Sequence, residues 1–389
     1  MSTTPSRPGE IRALAGGRAV PPLILVLYHY CEGHHYRNFK PFDLLVGHGY
    51  LWVEFFFALS GFILTYVYAA RALEFWRGRT YRDFISARLS RLYPLHLAML
   101  LYILALMLSL NAIARATGTV SIYEEAYHPI VTWNSFVANL FLVQAWNILP
   151  YLSWNGASWF VSVEFLLCLL FPIYLFLARG GWWSAVGLIV AGTAGLAFLS
   201  FTGKHGLDIT FHNGIFRGMS AFGCGVGMYV LYSKTRTFAD SLPEWAISVA
   251  QAAVLVWLGL GIFDNGWSHS RQDIYTVVPM FWLVYVLAFD RGFAARFMQT
   301  RVLTKLGEWS YAIYMGQTAW LQLIRFFERA YPSNDTLVFG VRFGDLIWWP
   351  EPFALLLVCI GWGALLCTFI EIPANRALRR FFARRAAAA

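Results

Sequence analysis

"GGRAVPPLILVLYHYCEGHH", residues 16–35, decides how the rest of the chain is read. Arg18 precedes two prolines, an apolar run from Leu23 to Tyr28 follows, and His29 then stands where a lipid-facing helix would carry another leucine. Proline suits a helix's first turn, so the segment is predicted to start a helix at Pro21 and leave Arg18 in the preceding loop. If the helix ran on through the prolines, the eleven-residue offset, close to three turns, would put Arg18 and His29 on one face. On either reading His29 lies on the order of 12–16 Å along the helix, near the middle of a hydrocarbon core about 30 Å thick.

The rest of the 389-residue chain supports a membrane reading, being 58% hydrophobic and 13% charged, with 33 Phe, 20 Tyr and 17 Trp. Soluble domains are about a quarter charged. Apolar windows predict an all-α polytopic membrane protein of about ten transmembrane helices, near 20–37, 49–70, 93–112, 157–178, 183–201, 214–233, 245–263, 274–290, 303–327 and 352–372. An eleventh window, 132–150, carries Asn134, Asn139, Gln144 and Asn147 and is expected to be interfacial or re-entrant. If it does not cross, most of the 30 basic residues fall in cytoplasmic segments, including the tail "RRFFARR". Both termini are then cytoplasmic, with short tails at 1–10 and 377–389 on a single membrane domain spanning 1–389. Basic clusters lying between apolar windows fit membrane topology rather than nucleic-acid binding. The five cysteines show no CxxC spacing, and no histidine pair has the spacing of a metal helix, so no metal is expected.

Several polar residues stand in or beside the apolar windows. An ionisable group at mid-membrane faces the protein interior or a wet cavity. For His29 that leaves a neutral imidazole bonded between helices, or a base able to take a proton from a hydroxyl. In "VEFFFALSGFILTY", Glu54 is a carboxylate in an apolar run, either buried or near the outer interface, and Ser60-Gly61 allows a helix or ligand to approach the backbone. In "ARLSRLYPLH", Arg88 and Arg91 share a helical face, suited to phosphate or to anionic lipid headgroups. In "GASWFVSVEFLLCLLFP", Ser158 and Ser162 are one turn apart and Glu164 is the clearest buried carboxylate, with Arg217 of "IFRGMSAFGCGVG" a candidate ion-pair partner.

Taken in order, "LAGGRAV…LYHY", "FFFALSGF", "RLSRLYP", "SWFVSVEF…LFP", "FRGMSAFGCG", "LGEWSYAIYMGQ" and "EIPANR" resemble the acyltransferase-3 family of integral membrane acyltransferases, from residue 11 to about 376. The resemblance implies transfer of an acyl group, most often acetyl, from cytoplasmic acyl-coenzyme A to a hydroxyl of a carbohydrate or lipid-linked glycan. No cofactor is implied beyond acetyl-coenzyme A as donor substrate, and the other partners are membrane lipids. Arg18 and His29 match the family's Arg-x10-His motif, with the histidine catalytic. Ser60 and Gly61 match its SGF motif, Arg88 and Arg91 its paired arginines, Glu164 the acid of its SxE motif, and Glu54 an acidic position before two phenylalanines. Ser162 and Arg217 complete the expected substrate-binding set. Glu164 is expected to orient or charge-stabilise the His29 imidazole as a triad carboxylate does. Two departures stand out, the Pro21-Pro22 pair and Gln317 where relatives often carry a histidine. The resemblance also implies the bacterial inner membrane. A rival reading from the residues alone is a glycan or lipid transporter that uses the intramembrane His, Glu and Arg as a path.

Overall fold

Backbone amides that enter hydrocarbon have no water to bond, so apolar windows of this length close their hydrogen bonds within helices. The computed structural model of the chain describes residues 9–34, 45–118, 130–265, 271–330, 337–338, 341–342 and 351–388. Its helices in chain order are α1 Arg12–Gly17, α2 Val20–His34, α3 Trp52–Tyr68, α4 Arg79–Thr117, α5 Trp133–Leu140, α6 Ser158–Leu177 and α7 Gly181–Thr202. They continue as α8 Gly214–Ser241, α9 Glu244–Asn265, α10 Asp273–Leu287, α11 Phe293–Met298, α12 Arg301–Ala330, α13 Glu351–Leu366 and α14 Ile372–Ala388. The two-residue strands Leu337–Val338 and Val341–Arg342 pair antiparallel.

The described part of each of the ten expected windows falls in helix, to within a few residues. Six helical runs among the described residues are long and apolar enough to cross a membrane: Gly49–Trp76, Arg79–Thr117, Ser158–Thr202, Gly214–Ser241, Glu244–Phe263 and Glu351–Arg385. Within Ser158–Thr202 the chain turns at Gly181, whose φ of +67° favours glycine, so that run is the two helices α6 and α7. Most of the expected tail 377–389 continues α14, whereas residues 1–8 and much of the connections 33–48 and 328–351 lie outside the described residues.

The window 132–150 does not form a spanning helix. Its helix α5 has eight residues, about 12 Å of rise. Thr132 and Ser135 cap its start reciprocally, and the chain then reverses through Leu142 and Asn147, both at positive φ. Ser162 of α6 holds the reversal: its hydroxyl donates to Leu142 O at 2.7 Å and accepts from Ala145 N at 3.2 Å.

Helix α8 lies along α7 and α3 at the centre of the packing. Glycine permits the close approach to α3: a Cβ on Gly61 would overlap the Phe222 carbonyl, and one on Gly225 would overlap that of Ala58. Buried side chains from nearly every helix join in one apolar cluster. Between α1 and α2 the helix breaks at Arg18-Ala19, and α2 starts at Val20 with both prolines in its first turn, one residue ahead of the predicted start. Arg18 and His29 are therefore not on one continuous helix.

Candidate functional site

Most of the predicted residues line one of two cavities. The first, of about 100 Å³, is lined by Arg18 from the α1–α2 break, Ser60 of α3, Arg88 and Arg91 of α4, Glu164 of α6 and Tyr311 of α12. Its arginines converge because three elements meet here: the α1–α2 break and one helical face of α4 carry the cations, and α6 brings the acid. Arg88 Nη2 donates to Glu164 Oε1 at 3.0 Å, and Ser60 Oγ donates to the same oxygen at 2.6 Å. Glu164 Oε2 and Arg88 Nε are buried with no hydrogen-bond partner among the described residues. Burial first, and then the adjoining charges of Arg91 and Arg88, push the Arg18 guanidinium below its ordinary range, to about 10. Three cations face Glu164 here, with the field of Glu371 also reaching Arg91, so the cavity is electropositive and suits an anion.

The second cavity, of about 520 Å³, is lined by His29 and Glu32 of α2, Tyr50, Trp159, Asp208, Arg217 and Arg325, with Trp154 and Gln322 among its other walls. This volume lies within the roughly 300–1,000 Å³ of small-molecule sites. His29 is one-third exposed toward it, and its Nδ1 lies 3.7 Å from Glu32 Oε2. At that distance the pair interacts through charge rather than through a hydrogen bond. Tyr314 of α12 lines both cavities.

This arrangement corrects the expected role of Glu164. It lines the arginine cavity, held by Arg88 and Ser60, while the carboxylate beside His29 is Glu32. Sequence reading passed over Glu32, although its spacing of three residues from His29 on one helix was the available signal. Arg217 is not the partner of Glu164 either. It binds Glu54 through Nε to Oε1 and through Nη2 to Oε2 at 2.8 Å, both residues being fully buried, so Glu54 is not at a solvated interface. The same guanidinium donates to Tyr50 O at 2.7 Å and Ile209 O at 2.9 Å, and lies over the Trp159 ring. It braces the wall of the His29 cavity. Three residues expected to bind substrate line neither cavity: Glu54 is taken up by Arg217, Gly61 gives its face to α8, and Ser162 gives its hydroxyl to the 142–145 reversal. Gln317 is buried, donating from Nε2 to Tyr314 O at 3.1 Å.

A family described as an acyltransferase domain matches residues 11–370. Among curated proteins the chain is similar to acyltransferase MdmB of Streptomyces mycarofaciens, with 27% identity over 365 residues that cover 85% of this chain and 82% of that protein. No solved structure matches it.

Proposed function

Since this chain belongs to the acyltransferase-3 family and is an acyltransferase, we propose that it moves an acyl group, acetyl in the first instance, from acyl-coenzyme A to a hydroxyl of a carbohydrate or lipid-linked glycan. One observation carries the reading: three arginines converge on a cavity that shares Tyr314 with the cavity holding His29. Coenzyme A carries several phosphate charges, and Arg18, Arg88 and Arg91 offer planar donors for them. The acyl-pantetheine arm then reaches past Tyr314, and the acceptor enters from the His29 side.

In the larger cavity His29 Nε2 takes the proton from the acceptor hydroxyl as its oxygen attacks the thioester carbonyl. The carbon–sulfur bond breaks, and the coenzyme A thiolate leaves with the proton that His29 returns. Glu32, 3.7 Å from Nδ1, stabilises the transient imidazolium by its charge, so the base is a His29–Glu32 pair. Ten spans with cytoplasmic termini, in a bacterial inner membrane, put the arginine cavity at the cytoplasmic face, where acyl-coenzyme A is found. The positive-inside distribution of arginines supports that orientation.

The test is thiol release by full-length protein given acetyl-coenzyme A and a panel of sugar acceptors. His29→Ala protein, shown to be folded, is expected to lose about 10²–10⁴ in rate. Release as fast as wild type would remove His29 from the chemistry.

A further inference from the structure

The wall between the two cavities is aromatic. Ring centroids are 5.7 Å apart for Phe56 and Phe160, 6.2 Å for Phe56 and Tyr314, and 5.7 Å for Phe160 and Tyr314. These are contact separations for aromatic rings, so the three meet with no open bore among them. Phe56 and Phe160 line the arginine cavity, and Tyr314 lines both.

The rings are not held equally. Phe160 is pinned by Phe57 at 4.5 Å, and Phe57 in turn packs on Trp159. Tyr314 is 2% exposed, inside the core cluster. Phe56 is half-buried, borders the cavity and has its ring contacts with the other two. Of the three it is the least enclosed.

We infer that Phe56, Phe160 and Tyr314 select the acyl group by its cross-section, an inference that rests on acyl-coenzyme A binding at the arginines. The acyl end is the leading end of the donor and has to thread between these rings to reach His29. An unbranched chain has one cross-section at any length, so it passes when Phe56 turns. A branch at the carbon next to the carbonyl meets Phe160 and Tyr314, which do not yield. Rings closed around the chain also keep water from the thioester.

Butyryl- and isobutyryl-coenzyme A are isomers that differ only in that branch, and binding needs no acceptor. Their affinities for full-length protein in detergent, read from thermal stabilisation against concentration and compared with free coenzyme A, test the inference. Wild type is expected to bind butyryl-coenzyme A about tenfold more tightly than isobutyryl-coenzyme A, the scale on which a pocket discriminates one methylene. Isobutyryl-coenzyme A should bind no better than free coenzyme A. Phe56→Ala should close the gap, and Phe56→Leu, which keeps apolar bulk if the alanine variant does not fold, should narrow it. Equal binding of the isomers by wild type, or a gap that both variants leave intact, overturns the filter while the donor site stands. Failure of every coenzyme A species to stabilise wild type overturns the donor reading and the filter with it.

Discussion

Arg88 Nη2 lies 3.0 Å from Glu164 Oε1, and this ion pair sets Arg88 apart from the other two arginines of its cavity. The side chains of Arg18 and Arg91 are held by no hydrogen bond among the described residues. Arg18→Ala and Arg91→Ala are therefore expected to raise KM for acyl-coenzyme A roughly 10–100-fold, the worth of a charged hydrogen bond, with little change in thermal stability. Arg88→Ala is expected to raise KM and also lower Tm, because it leaves Glu164 buried without its cation. Steady-state kinetics and melting curves on the three proteins separate the cases.

The Glu54–Arg217 pair is fully buried and makes further bonds to two backbone carbonyls. Removing one partner strands the other. Glu54→Ala is expected to destabilise the protein by about 3–5 kcal/mol, and Arg217→Lys to rescue little, since an ammonium cannot make the bidentate contact. Thermal unfolding of the full chain in detergent measures both.

Gly61 is expected to matter for packing. Gly61→Ala forces α3 and α8 apart and should cost about 1–3 kcal/mol, seen as a lower Tm, while the folded fraction keeps its KM for acyl-coenzyme A.

Glu32→Gln keeps the shape beside His29 and removes the charge. It is expected to lower kcat at least about tenfold and leave KM for acyl-coenzyme A unchanged. The Glu164→Gln protein should show the opposite split, with KM moving more than kcat, because that acid lines the donor cavity.

The helical architecture was legible in the chain because hydrocarbon length and apolar windows constrain each other, and α2, α3 and α8 begin within a few residues of their expected places. Asn and Gln within 132–150 marked the segment that forms only a short helix. Arg18, Arg88, Arg91, Ser60 and Glu164 stood out in the chain as candidates, and they line one cavity. Pairing was not legible. Helices α3, α6 and α8 each bring one charged side chain inward, and their relative rotation alone decides whether Arg217 meets Glu54 or Glu164. The division into two cavities was equally hidden, because Phe56, Phe160 and Tyr314 come from three helices far apart in sequence.

On the proposed mechanism the donor's charge is captured beside the break at Arg18 and its bond is cut at His29, nine residues along α2 from Val20, on the order of 14 Å at helical rise. Affinity gained on the phosphates is thus gained far from the carbonyl and is free to be spent on steering it. A truncated thioester that keeps the acyl-pantetheine end but lacks the nucleotide should consequently turn over slowly even at saturation, as a guest without its anchor.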